Sequence, residues 1–487
     1  MHVSDIKRFL RCPRLYQLSL ETKTKFHLYL NISTDINASI ANKLNIEKYY
    51  VGLTNQESSD TFLVADNYNW IFKARFSYNG LRIRVPLLYI DDDHCDVYSI
   101  LLSSQALESE AVNMAFMRYV LEGNGLTVDN YYILFLNKDY VYDEKLDDEN
   151  LWILTDHFIK DGRIMDNIKD SVENISLDLD YILYQIDKSE FELPVRTSKC
   201  TGRNRCQFYY DCFPMEKVIE DNSILTLVSS QYKYEMYDDG IRYLKDADFQ
   251  RVEGSKVQLA QINADQNGGL YVDRQALKHW LEQLEFPISF IDFEWDLYPI
   301  PPYQGMKVMD VLVFQYSLHV FDGEKLTHYE FIEEGDSRKE LVLSLLENLP
   351  EKGSVIAYNA TGAEKIRIRE LAGYLPQYSE KLLQINERMI DMAIPFISGW
   401  VYDVRMQGAF TLKTIENMID DKHSYDNLRV SDGMQAVEIY REMCQCPDEQ
   451  QKQLYREQLL QYCGLDSYSL YKIYKWLNKI LSDHNDR

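Results

Sequence analysis

The chain reads as an α/β protein built from two successive mixed regions, and three observations carry that expectation. Segments of strand character at 81–85, 97–101 and 131–136 surround a helical pattern over 110–122. The mixture returns after residue 286, where strand-like stretches at 290–294, 308–320, 327–332 and 355–359 alternate with helical patterns over 339–349 and 361–375. Between them, 216–285 offers helical spacing at Tyr237, Ile241 and Leu244 and over 273–284, with the loop signal Asn267-Gly268-Gly269. The division that follows is 1–215, a connector 216–285, and 286–487.

A length of 487 residues allows two or three domains of about 100–200 residues each. The 46% hydrophobic content supplies packed cores and excludes global disorder. No apolar run approaches the roughly 20 residues of a membrane helix, and Met1-His2-Val3-Ser4-Asp5 lacks the pattern of a signal peptide, so a cytoplasmic protein is expected. A net charge of −25 counts against a nonspecific nucleic-acid coat; phosphate contacts have to be built locally or through bound metal. Eight unevenly spaced cysteines point to metal or cluster ligation before a disulfide framework.

Near the start, Ser4 is an expected N-cap, Ile6, Phe9 and Leu10 share a helical face, and Pro13 ends the helix just after Cys12. A thiol at a helix end has a lowered pKa only where it faces positive potential, which Arg8, Arg11 and Arg14 are placed in sequence to supply. The first region closes on Cys200, Cys206 and Cys212, spaced more widely than in a zinc knuckle. That spacing favours an iron–sulfur cluster with Cys12 as fourth ligand, against the alternative of free thiols.

The run Ser4-Asp5-Ile6 through Cys12-Pro13-Arg14-Leu15-Tyr16, with the terminal cysteine triplet, resembles the RecB-like nucleases of the PD-(D/E)xK class. The resemblance implies a 4Fe-4S cluster held by Cys12, Cys200, Cys206 and Cys212. Those enzymes bind metal through an aspartate on one strand and Glu-x-Lys on the next, and the matching places here are Pro86, Ser99 and Leu101. Proline and leucine cannot ligate a cation, so this domain is expected to be catalytically inactive and to bind, brace or position.

The most informative stretch is Phe290-Ile291-Asp292-Phe293-Glu294. On a strand Asp292 and Glu294 point to one face and Ile291, Phe293 and Trp295 to the other, whereas on a helix the two acids diverge by about 200°. Two neighbouring carboxylates repel, and a divalent cation removes that penalty; a solvated edge strand is the plainer reading. In the next strand Phe314, Tyr316 and Leu318 alternate with Gln315, Ser317 and His319, a core side and a polar side, with His319 read as structural. Glu364 opens a helix after the 355–359 strand; Thr361-x-x-Glu364 also spells a capping box. Asp391 is a rival third acid that can equally cap the next helix. In the last helix Leu459, Cys463, Leu470, Tyr474, Leu477 and Leu481 form an apolar face interrupted by Asp466, with Tyr462 one turn earlier. A carboxylate there asks for a cation, either a metal or a core Lys or Arg.

Paired acids on a first strand, an acid after a central strand and Tyr-x-x-x-Asp on a final helix resemble the DEDDy branch of the RNase H-like 3′–5′ exonucleases. The resemblance falls on Asp292, Glu294, Glu364, Tyr462 and Asp466, with Asn359 and Asp391 as accessory positions. It implies two Mg2+ or Mn2+ ions, a tyrosine that orients water, and a DNA or RNA substrate. The departure is Glu364, where the branch usually carries aspartate. From Asp292-Phe-Glu294 through Tyr358-Asn359, Arg388-x-x-Asp391 and Asp432-Gly433 to Tyr462-Cys-x-x-Asp466, the chain also resembles the bacterial family called domain of unknown function 2779. Lys365, Arg367 and Arg369 offer local phosphate contacts or simply a solvated helix face. The expected activity is metal-dependent 3′–5′ exonucleolytic hydrolysis, with an inert nucleic-acid-binding or assembly factor, acting with protein partners in nucleic-acid processing, as the alternative.

Overall fold

The computed structural model describes residues 1–22, 30–175, 178–188, 194–201, 205–217, 220–420, 425 and 428–483. Residues 202–204 of the cysteine segment lie outside that set. The chain divides into two compact units, Met1–Pro214 with Leu297–Asp310, and Met215–Asp296 with Val311–Arg487. Residues 216–285, expected as a connector, belong to the second unit, and the proline-rich loop after Asp296 belongs to the first. No helix among the described residues is long and apolar enough to cross a membrane.

The first unit is a mixed sheet with helices. Its strands β1 (Tyr49–Val51), β2 (Trp70–Tyr78), β3 (Leu81–Asp91), β4 (His94–Leu101), β5 (Thr127–Leu136) and β6 (Trp152–Thr155) are neighbours in that order. The β1/β2 and β4/β5 pairs are parallel and the others antiparallel. Asn79 (φ 44°) and Gly80 (φ 75°) turn the β2–β3 hairpin, as expected for the Asn-Gly pair that tolerates two left-handed residues. Helix Glu110–Gly123 buries Met114, Phe116, Val120 and Leu121 against Ile83, Val85 and Ile133. A short hairpin, β7 (His157–Lys160) with β8 (Arg163–Asn167), follows.

Helix Val3–Arg11 begins one residue before Ser4, and the His2 N–H donates to the Asp5 carboxylate at 2.8 Å, so Ser4 is not its cap. Ile6 and Phe9 pack into the core, while Leu10, about 100° further round the helix, is exposed. Pro13 starts a second helix, Pro13–Glu21, because the first helical position needs no N–H. Cys12 is the extended residue between the two.

In the second unit β9 (Leu270–Val272) precedes a five-stranded sheet made of β10 (Ile288–Tyr298), β11 (Asp310–Phe321), β12 (Leu326–Ile332), β13 (Val355–Ala357) and β14 (Met389–Asp391). The order is β12-β11-β10-β13-β14, with β10/β13 and β13/β14 parallel and β11/β12 antiparallel. Strand β15 (Val401–Asp403) closes back antiparallel on β9. Strand β10 is therefore central, and both its faces are covered. Ile291 and Phe293 join Tyr316 and Leu318 beneath helices Arg338–Asn348, Glu364–Tyr374 and Ser379–Glu387. Ile288 and Phe290 pack with Leu470, Ile473 and Leu477 of the final helix, Glu449–Ser482.

The polar side of β11 is buried, not solvated. Gln315 Nε2 donates to the Leu459 carbonyl at 2.9 Å, while Ser317 and His319 Nδ1 meet Ser467 at 2.7 and 2.8 Å. His328 packs over this helix at Gly464, where a Cβ would sit in ordinary contact, 3.6 Å from the imidazole, so the approach does not require glycine. Hydrogen bonds along these rows fix the rotation of the final helix about its axis.

The next acid along the β10 face, Asp296, is 0% exposed and takes the Arg441 guanidinium through both oxygens, Nε to Oδ2 at 2.9 Å. Removing one partner of such a pair leaves a buried charge uncompensated. Arg441→Ala is expected to cost about 3–5 kcal/mol in the unfolding of the second unit, read from the urea midpoint; an unchanged midpoint would show that the pair contributes nothing there.

Candidate functional site

Asp292 and Glu294 leave β10 on the face that meets the final helix, because strand side chains two apart share a face. Asp466 enters from that helix at the level of Cys463 and Leu470, its neighbours in the three-and-four-residue spacing. One ligand oxygen from each of Asp292, Glu294 and Asp466 lies within 4.8 Å of the others. Glu294 and Asp466 are only 8% and 6% exposed, while Asp292 is half-buried, so the cluster is largely but not wholly withdrawn from bulk water. Among the described residues none of the three makes an ion pair with Lys or Arg within 4.0 Å; the charge of Lys413 reaches Glu294 and Asp466 from further off.

Burial is the leading cause of every shift here. It holds the Asp292 and Glu294 carboxyls well above the usual carboxylate range, and the charge of Asp466 adds to both. Asp466 is pushed up to about 6, with hydrogen bonds from the Tyr425 and Tyr462 phenols and the charge of Lys413 opposing the rise. Glu364 is pushed up to about 8, again by burial, with Asp391 and Asp466 contributing. Both phenols are raised by burial and by the acids, which keeps them protonated as donors.

Glu364 is the first residue of helix Glu364–Tyr374, and the residue before it caps that helix without a side-chain hydrogen bond. The capping box spelled by Thr361 is therefore not formed. Glu364 is 4% exposed, its Oε2 has no hydrogen-bond partner among the described residues, and its charge is felt at Asp292. It does not fall within 4.8 Å of all three other acids. Asp391 ends β14 and takes the Ala393 N–H at 2.9 Å together with the N–H groups of Asn359 and Ala360. It thereby braces the turn that carries Glu364. Asn359, exposed and left-handed at φ 53°, belongs to that turn and stays outside the cluster.

Three further groups complete the cluster. Tyr425 donates to Asp466 Oδ1 from a stretch with no periodic signal, so sequence reasoning has no handle on it. The Cys463 thiol, 3.4 Å from Asp292 Oδ2, reads in the sequence as one more apolar position. Lys413 sits with its ammonium 4.9 Å from the Tyr462 ring centroid and 5.1 Å from that of Tyr425. Of the cations expected to meet phosphate, Arg367 is hydrogen-bonded to Glu370 at 3.0 Å, Arg369 is exposed, and the charge of Lys365 is registered at Asp391.

In the first unit Cys12, Cys200, Cys206 and Cys212 line one cavity with Leu15, Phe208, Tyr209 and Phe213. Among the described residues no three of their sulfurs lie within 4.8 Å of one another. Ser99 is buried and donates to Glu110 at 2.8 Å.

Residues 289–411 match the family model described as a domain of unknown function (DUF2779). The match includes Asp292, Glu294, Glu364 and Asp391 and ends before Lys413, Tyr425, Tyr462 and Asp466. No curated protein and no solved structure matches the chain.

A carboxyl with a raised folded-state pKa contributes stability below its unfolded value, near 4, and loses it as pH rises through the folded value, here about 6 for Asp466. His319, lowered to about 3 by burial and by His328, bends the profile the other way. The difference between two proteins isolates the acid: in chelator, Asp466→Asn should gain melting temperature over the parent by an amount that grows from pH 5 to pH 8. A difference independent of pH would mean that Asp466 is not held above its ordinary range.

Proposed function

We propose that the second unit is a metal-dependent phosphodiester hydrolase of the 3′–5′ exonuclease kind, acting on DNA or RNA. One observation carries the reading: three carboxylates from a central strand and a final helix converge within 4.8 Å of one another, largely buried and, among the described residues, without a basic partner in ion-pair contact. Such an arrangement is costly unless a cation is held there. The RNase H-like resemblance rests on the same acids, with Tyr462 one helical turn from Asp466, and the central position of β10 supports it.

An all-oxygen donor set suits Mg2+ or Mn2+, and the orphaned Glu364 Oε2, whose charge is felt at Asp292, is a further candidate donor outside the 4.8 Å group. Asp292, Glu294, Asp466 and Glu364 would hold the metal. Bound there, it supplies positive charge for the phosphate oxygens and lowers the pKa of a coordinated water. The chain's own groups do the rest. Tyr462 remains a protonated phenol, so it orients the attacking water and does not deprotonate it. The second phenol, Tyr425, steadies Asp466. Water adds to phosphorus and the bond to the 3′ oxygen breaks: the terminal nucleotide leaves as its 5′-monophosphate, and the proton lost by the water balances the one taken up by the 3′ hydroxyl of the shortened strand.

The first unit, in this reading, braces or positions the strand. Four thiols lining one cavity support a 4Fe-4S cluster, since an inorganic core keeps its thiolates further apart than a single zinc ion does.

Purified protein with Mn2+ should shorten a labelled single strand from its 3′ end, and Asp292→Ala should abolish the shortening. Equal rates for parent and variant would mark the activity as a contaminant and the site as wrong. If no strand is shortened while the protein still binds it, the inert-factor reading takes over. Anaerobically prepared protein should be brown and Cys206→Ser should bleach it; a colourless protein carrying zinc would overturn the cluster.

A further inference from the structure

We propose that Lys413 grips the phosphate of the substrate at this site, an assignment that rests on the phosphodiester reading above. With a net charge of −25, the protein has no global attraction for a polyanion, so phosphate has to meet a local cation. Several basic groups around the cluster are already engaged by acids. Arg441 is held by Asp296 and Lys472 by Glu416 and Asp420, the last at 2.8 Å. Lys413 differs. Its charge is felt by Glu294 and Asp466, yet it stands in ion-pair contact with neither.

The ammonium has three N–H donors, and the hydrogen bond it makes among the described residues is to the Ser431 carbonyl. Donors therefore remain for an anionic oxygen. Two aromatic faces hold the ammonium in place, those of Tyr462 and Tyr425, whose hydroxyls meet on Asp466. The side chain is half-buried at the start of helix Leu412–Ile419, so it reaches the cluster from outside without leaving solvent altogether. Once a cation neutralises the acids, Lys413 is no longer needed to balance them and is free to pair with a phosphate oxygen. Its confinement between the rings lowers the entropy lost on gripping it.

The test uses the full chain with Mn2+ and a 3′-labelled single strand, comparing the parent with Lys413→Gln and Lys413→Arg. Losing a charged hydrogen bond to substrate should raise the KM of Lys413→Gln for the strand by about tenfold or more, with a smaller change in kcat, and Lys413→Arg should recover most of it. The melting shift caused by Mn2+ alone should be kept or enlarged in Lys413→Gln, because a competing positive charge has left Glu294 and Asp466. A KM that does not move, or a Mn2+ shift that shrinks with kcat, would overturn the proposal and make Lys413 a support for Tyr462. A parent that shortens no strand overturns the phosphodiester reading and this assignment with it, whereas an active parent with an unaltered Lys413→Gln overturns the assignment alone.

Discussion

Repulsion among buried carboxylates is the constraint around which the second unit is arranged. Asp292, Glu294 and Asp296 occupy one face of one strand, yet they have different fates. Asp296 meets Arg441 through both oxygens and is a closed structural pair. Asp292 and Glu294 meet a further acid instead, Asp466, within 4.8 Å. The same strand face therefore contains its own control: where the fold wants only stability it supplies a guanidinium, and where it leaves one out the acids converge. Burial without a partner raises the energy of the charged forms, and a divalent cation would lower it again.

The geometry follows from two periodicities meeting at one point. The two-residue repeat of β10 brings both its acids to the helix side, and the three-and-four-residue repeat of the final helix returns Tyr462, Cys463 and Asp466 to the strand side. Gln315, Ser317 and His319 set the rotation of that helix through their hydrogen bonds to Leu459 and Ser467. Had these positions been apolar, the helix would be free to slip or turn and Asp466 could leave the cluster. Asp391 does a similar job across the sheet, holding the Asn359–Glu364 turn by its backbone.

Much of this was legible in the residues. Alternation in β10 and the helical face interrupted at Asp466 are strong local signals, and both describe the observed placement. At Glu364 the helix start was legible, but the capping box that Thr361-x-x-Glu364 spells is not formed, because the helix begins at Glu364 itself. Other features are hidden in principle. Tyr425 and Lys413 carry no periodicity, and their positions depend on how helix Leu412–Ile419 and the residues after it fold back over the acids. The polar side of β11 is legible in sequence as polar and no more, because alternation reports two faces but not what covers each. Residues 216–285 show weak spacing, and it takes the long-range pairing of β9 with β15 and the packing of Leu277 and Trp280 with Ile288 and Phe290 to reveal that they fold with the second unit.

The central claim is that these acids hold a divalent cation, and calorimetric titration of Mn2+ into the metal-free protein at pH 7, in two buffers of different ionisation enthalpy, addresses it most directly. The account predicts saturable binding accompanied by net proton release, as the ion displaces into the buffer the protons that burial holds on the carboxyls, and predicts that Asp292→Asn weakens both together. Absence of binding at millimolar Mn2+, or binding of equal strength to Asp292→Asn with no proton released, would contradict it.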